Sequence, residues 1–170
     1  MELEIRQAKE SDLARVQAMY ARLVARMDRD GWNVWSDTYP RDAVGEDIKK
    51  GWFYLLLAGE TLCGAFALPP QDEGEGDVPW EDPAAPARYL YRFGIAVEYR
   101  GKGLGKQALG KIEALCGALG ARYLRLYVAY ENEPALALYQ KAGFTQLPGE
   151  FGEFLLDGTR LFEYAFEKRL

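Results

Sequence analysis

The 170-residue sequence predicts an α/β fold on a mixed β-sheet, formed as a single domain over residues 1–170. Three observations carry that prediction. Apolar residues make up 49% of the chain and aromatics 14%, enough at this length to bury a sizeable core. Apolar segments of strand period alternate with segments of helical period. After residue 88 the order strand, turn, helix, strand, helix reads as an α/β pattern with mixed strand directions.

The elements follow in order. Leu3, Ile5 and Gln7 alternate with charged residues as a first strand. Ser11 opens a helix with Leu13, Val16, Tyr20, Leu23 and Met27 at helical spacing, and Asp30-Gly31 breaks it. Residues 32–39 form an aromatic loop, and Pro40 leads a short second helix ending near Gly51. Residues 53–58 and 62–68 are strands around the hairpin signature Gly59-Glu60. Residues 69–86 are rich in proline, glycine and acid. They are expected to be a solvated, mobile excursion or else an acidic rim that draws a cationic substrate. Residues 88–97 are a long strand, 104–119 a helix, 123–129 a strand and 132–142 a helix. Residues 144–147 and 161–166 close a β-rich end, with 149–158 as the hairpin connection.

Composition narrows the function classes. The net charge of -5 argues against a nucleic-acid partner, so the basic cluster around Arg100 is a local exception on an acidic chain. With no histidine, a His-built metal site and a Ser-His or Cys-His nucleophile are excluded, and no metal is expected. Cys63 and Cys116 each sit in an apolar segment and read as small buried residues, which suits a reducing cytoplasm. The N-terminus lacks a signal pattern and no apolar run approaches spanning length, so a soluble cytoplasmic protein without a membrane partner is expected.

Chemistry concentrates between Tyr99 and Gln107, where three glycines and three cations lie between a strand and a helix. Alternate glycines leave backbone N–H groups uncovered, and the helix N-terminus adds partial positive charge, which together make a phosphate cradle. Lys106 stands where the dinucleotide fingerprint needs glycine, so that spacing fails. Gly105 through Lys111 imitates a nucleotide P-loop, but Ile112 replaces the magnesium-holding hydroxyl and the segment reads as helix.

The segment Arg100-Gly-Lys-Gly-Leu-Gly105 resembles the pyrophosphate loop of the GNAT acetyltransferase superfamily, with Arg100, Gly103 and Gly105 at the three defined positions. About thirty residues on, Asn132 through Phe144 is similar to the family's second motif, with Asn132, Ala135, Tyr139 and Gly143 in place. Ile5-Arg6 through Asp12-Leu13, and the strand Ile95-Ala96-Val97, also look like the family. The resemblance implies a central mixed, mostly antiparallel twisted sheet of about seven strands, splayed at the cofactor site and flanked by about four helices.

It further implies acetyl-CoA as cofactor. The backbone of Ile95, Ala96 and Val97 would meet the pantetheine arm. Arg100, Gly101, Lys102, Gly103, Leu104, Gly105 and Lys106 would hold the pyrophosphate, Arg100 pairing with phosphate or with Glu98. Asn132 would touch the pantetheine. The reaction implied is direct acetyl transfer to a primary amine, with Tyr139 as the acid for the leaving thiolate and a backbone N–H at the end of the long strand as oxyanion donor. Some members carry a glutamate base on the strand before the second motif. Tyr127 stands there, Glu131 is a candidate relay, and no base is assigned.

The family's acceptor site maps to Trp32, Trp35, Tyr39 and residues 150–158. The tryptophans read equally as loop anchors or as a binding wall. With the acids 72, 73, 75, 77, 81 and 82 they favour a small cationic amine or a peptide N-terminus. A non-catalytic acyl-CoA-binding sensor or interaction module on the same fold is the alternative. The oligomeric state is left open, a homodimer among the choices.

Overall fold

The structure, a computed structural model, describes residues 1–72, 77–154 and 160–170. In chain order the strands are β1 Glu4–Gln7, β2 Phe53–Ala58, β3 Thr61–Ala67, β4 Ala87–Tyr89, β5 Tyr91–Ile95, β6 Tyr123–Ala129, β7 Thr145–Gln146, β8 Phe151–Phe154 and β9 Arg160–Arg169. The α-helices are α1 Leu13–Arg29, α2 Val44–Lys49, α3 Leu104–Ala118 and α4 Glu133–Lys141. The fold is the expected mixed α/β type, with mostly antiparallel strands and four α-helices among the described residues. The strands divide into two hydrogen-bonded sheets. Among the described residues no helix is long and apolar enough to cross a membrane.

The chain forms two compact units. The first comprises Met1–Leu68 and Tyr91–Ile112. Its sheet runs β1-β2-β3-β5, antiparallel throughout. Val16, Tyr20 and Leu23 of α1 come round at helical spacing and bury against Leu55, Leu57 and Ala65 of the sheet. Close approach requires glycine at 64, where a Cβ would stand 2.6 Å from the Gly94 carbonyl oxygen. Asp12 sets the start of α1. Its carboxylate takes both ends of the Arg6 guanidinium at 2.9 and 3.0 Å, the Lys9 amide at 2.8 Å and Arg15 at 2.6 Å.

The second unit comprises Pro69–Leu90 and Glu113–Leu170, with sheet order β4-β6-β9-β7 and β8 paired to β9. Among the described residues only β4 and β6 run parallel. Arg125 and Glu167 are a buried ion pair inside it, 2% and 5% exposed.

Three sequence expectations change. Residues 88–97 are two strands in different sheets: β4 ends at Tyr89, and Arg92 adopts a left-handed φ of 55° at the start of β5. The described part of 69–86, residues 69–72 and 77–86, is not a solvated excursion, because Val78 and Trp80 are buried and residues 72, 81 and 82 are bonded onto β6. Tyr127 donates to Asp72, Tyr123 donates to Glu81, and Arg125 donates to the Asp82 carbonyl. The expected strand 144–147 shrinks to β7, whereas the strand at 161–166 extends into the long β9. The proposed hairpin connection contains β8, and its residues 155–159 lie outside the described residues.

Candidate active site

The turn before α3 begins with a 3-10 segment, Val97–Tyr99. Gly101 and Gly103 then take φ of 74° and 77°, a conformation that side chains rarely adopt. A Cβ at either would meet nothing within 4 Å, so backbone conformation, not crowding, demands glycine. Leu104 is buried and roots the helix, while Gly101, Lys102, Gly103 and Lys106 are exposed. Gln107 N–H bonds the Gly103 carbonyl at 3.3 Å. The N–H groups of residues 101–106 donate to no described residue, which leaves a run of free donors at a helix N-terminus. Open space above a positive-φ turn with unused donors suits a pyrophosphate.

Arg100 does not pair with Glu98. Its guanidinium lies 3.6 Å from Asp30, and Glu98 lies 3.7 Å from Arg22. Lys102 stands 5.5 Å over the Tyr99 ring. On β5, the outer strand of its sheet, Ala96 N–H bonds the Cys63 carbonyl at 2.8 Å. Strand alternation therefore turns the Ile95 amide away from β3.

In the second unit, Asn132 caps α4 by accepting from the Ala135 amide at 3.3 Å, and Pro134 fits the first turn. Tyr139 is 7% exposed, its ring 5.5 Å from Phe144 and 6.4 Å from Phe166. Its hydroxyl bonds no described residue, and burial raises its pKa above the usual tyrosine value. The unassigned base position holds Tyr127, whose hydroxyl donates to Asp72 Oδ2 at 2.8 Å. Glu131 accepts from the neighbouring Tyr130 hydroxyl at 2.8 Å.

The acceptor loop divides by role. Trp35 packs edge-on against Tyr20 at 5.6 Å and so anchors the loop. Trp32 is half-buried, its amide closing α1 on the Met27 carbonyl. Tyr39 is 44% exposed and faces the Arg92 guanidinium at 5.6 Å. A cavity of about 100 Å³ lies between α1 and residues 36–41, lined in part by Tyr20, Asp28, Asp37 and Arg41. Sequence reasoning missed Arg92 and Asp47, paired at 3.1 Å beside this loop. Burial raises the Asp47 carboxyl although Arg92 opposes the shift. Asp72 and Glu81 of the acidic stretch are engaged by tyrosines, and residues 73 and 75 lie outside the described residues. Cys63 and Cys116 are free and buried, and burial pushes the Cys116 thiol up to about 12.

A model of the acetyltransferase (GNAT) family matches residues 17–144. YycN of Bacillus subtilis (strain 168), called an uncharacterised N-acetyltransferase, is 40% identical over 58 residues, 34% of this chain. The match spans only 37% of that relative's length. A GNAT-family acetyltransferase structure from Streptococcus agalactiae 2603 superposes with a TM-score of 0.82 at 20% identity, covering 99% of this chain and 95% of its own. That of yncA from Salmonella typhimurium, solved with its cofactor acetyl-CoA, gives 0.70 at 16% identity over 100% and 95%. At these identities the likeness to both structures is one of fold.

Proposed function

The chain belongs to the acetyltransferase (GNAT) family, and we propose that it is a cytoplasmic, acetyl-CoA-dependent N-acetyltransferase acting as one domain of residues 1–170. The observation that carries this reading is the run of free N–H donors from 101 to 106 at the head of α3. These donors, with the helix dipole and the charges of Arg100, Lys102 and Lys106, hold the pyrophosphate. The backbone of Ile95 and Val97 holds the pantetheine arm, and a backbone N–H at the end of β5 serves as oxyanion donor. Asn132 keeps its side-chain NH₂ for the same arm while its oxygen caps α4.

When bound, acetyl-CoA supplies an acetyl thioester as the electrophile. Tyr139 serves as the acid for the leaving sulfur, and its burial keeps the phenol protonated at neutral pH. The acceptor is a primary amine, either a small cationic amine or a peptide N-terminus, with Trp32 and Tyr39 as its wall and Trp35 holding that wall in place. The burial of Tyr139 also favours a second reading, an acyl-CoA-binding module without turnover.

Thiol release from acetyl-CoA, followed with n-butylamine, putrescine and trialanine, separates the two. Amine-dependent release that Tyr139→Phe lowers supports the enzyme. Acetyl-CoA binding without release on any amine assigns the module.

A further inference from the structure

At the start of β5 the first unit holds a cation in a conformation that its own residue type does not favour. Ala65 pairs with Gly94 and Ala67 with Tyr91, so Arg92 and Phe93 together oppose the single residue Phe66. This is a β-bulge, a device that re-aims a side chain. Arg92 carries it at a φ of 55°, where glycine or asparagine would sit with less strain. Tertiary contacts hold the backbone there, because the Tyr20 hydroxyl donates to the Arg92 carbonyl. The side chain meets the loop before α2, with its guanidinium 5.6 Å from the Tyr39 ring and 5.8 Å from that of Tyr91. Strain kept at one residue points to a use for its side chain.

Asp47 balances this guanidinium without using its donors. Nη2 donates to Asp47 Oδ1 at 3.4 Å. Nε faces Oδ2 at 3.1 Å outside hydrogen-bonding geometry, so both atoms are buried and unbonded. Nη1 bonds no described residue. Two other arginines show how this chain builds a structural pair. Arg6 grips both oxygens of Asp12 at 2.9 and 3.0 Å, and Arg125 donates to Glu167, Tyr89 and the Asp82 carbonyl. Of the five donors on Arg92, arranged as a planar fork that fits a carboxylate, four remain unused by described residues. The side chain keeps 14% of its surface exposed, beside the exposed Tyr39. Arg92 precedes Ile95 by three residues on one strand, a distance of about 10 Å at most. It lies well upstream of the phosphate turn at 101–106, so an anion bound at Arg92 belongs to the acceptor.

We propose that Arg92 binds a carboxylate on the acceptor, which is therefore a free amino acid or a short peptide acetylated on its amine. The inference rests on the acetyltransferase reading and narrows its acceptor. A diamine without a carboxylate would meet a like charge at Arg92. The Arg92 fork sets specificity by gripping the carboxylate, Tyr39 walls the same place, and Asp47 positions the guanidinium from behind.

The test compares kcat/KM for acid and amide forms of two acceptors, L-phenylalanine and trialanine, in wild type and Arg92→Gln. The acid-to-amide ratio is expected to fall about tenfold to a hundredfold in Arg92→Gln, the range of a charge-assisted hydrogen bond. The fall comes through KM for the acid, while kcat and the amide values are retained. Arg92→Lys keeps the charge without the fork and falls between. A fall in the phenylalanine arm assigns an amino acid, and one in the trialanine arm assigns a peptide. Cooperative thermal unfolding checks each variant, and Arg92→Asn, which accepts a left-handed backbone, replaces Arg92→Gln if that protein does not fold. A comparison without variants uses the N-acetylated acids as inhibitors of wild type, expected to bind at least about tenfold more tightly than their amides. An unchanged ratio in the folded variants, or equal inhibition by acids and amides, overturns the carboxylate site. Turnover of n-butylamine with none on either acid also overturns it, and in all these cases the acetyltransferase reading stands. Wild type without turnover on any amine overturns both.

Discussion

Arg125 Nε lies 3.3 Å from Glu167 Oε2 in nearly complete burial, and the pair fastens residues 80–82 to the sheet. The guanidinium sits 4.7 Å from the Trp80 ring and donates to the Asp82 carbonyl at 2.7 Å, while Glu167 Oε1 accepts from the Glu81 amide at 2.7 Å. Arg125→Met leaves a buried carboxylate without its cation and is expected to cost about 3–5 kcal/mol. The double variant Arg125→Met, Glu167→Met recovers much of that loss. Urea unfolding of the three proteins checks both expectations, and equal losses in single and double variants would contradict them.

Asp12 gives the fold a signed pH dependence. Hydrogen bonding to Arg6 is the largest cause that holds its carboxyl below the usual carboxylate range, assisted by the Lys9 amide and Arg15. Its folded pKa lies below the unfolded value near 3.9, so the stabilisation is complete above about pH 4 and fades as pH falls below it. Asp12→Asn is expected to lose about 2 kcal/mol at pH 7. Its stability changes less than that of wild type between pH 4 and pH 2, and urea midpoints across that window provide the measurement.

Two strand glycines differ in what a methyl group would strike. At Gly64 a Cβ would stand 2.6 Å from the Gly94 carbonyl oxygen, and the strands would have to part. At Gly94 the nearest atom is Leu23 Cδ1 at 2.9 Å, the far end of a flexible side chain. Both alanine variants are expected to lose about 1–3 kcal/mol, Gly64→Ala more than Gly94→Ala. The reverse order in denaturant midpoints would contradict this packing.

How far the fold could be read in advance follows from the range of each interaction. Strands β2 and β6 fall where apolar runs bounded by glycine or polar residues place them. The turn at Gly101 and Gly103 was legible because local backbone conformation dictates glycine there. Arg92 in a left-handed conformation carries no such signal, so the break between β4 and β5 was hidden inside an apolar-looking stretch. Composition concealed Trp80, whose burial depends on Arg125, far along the chain. Asp72 and Tyr127 are joined across 55 residues, a pairing that no local pattern announces.

Tyr139→Phe separates chemistry from packing. The ring contacts with Phe144 and Phe166 survive the change, and the lost hydroxyl bonds no described residue, so the melting temperature is expected to stay nearly constant. If the hydroxyl acts as the acid, kcat falls by about a hundredfold or more while acetyl-CoA affinity is retained. Equal losses in kcat and affinity would assign Tyr139 a packing role.

The most direct test of the account is the affinity of acetyl-CoA for wild type and Gly103→Val, measured by titration calorimetry. Valine at a φ of 77° costs about 1–2 kcal/mol of backbone strain and places a side chain over the free donors of residues 101–106. Acetyl-CoA is expected to bind wild type saturably and to lose that binding in a variant that still unfolds cooperatively. Unchanged affinity in folded Gly103→Val would contradict it.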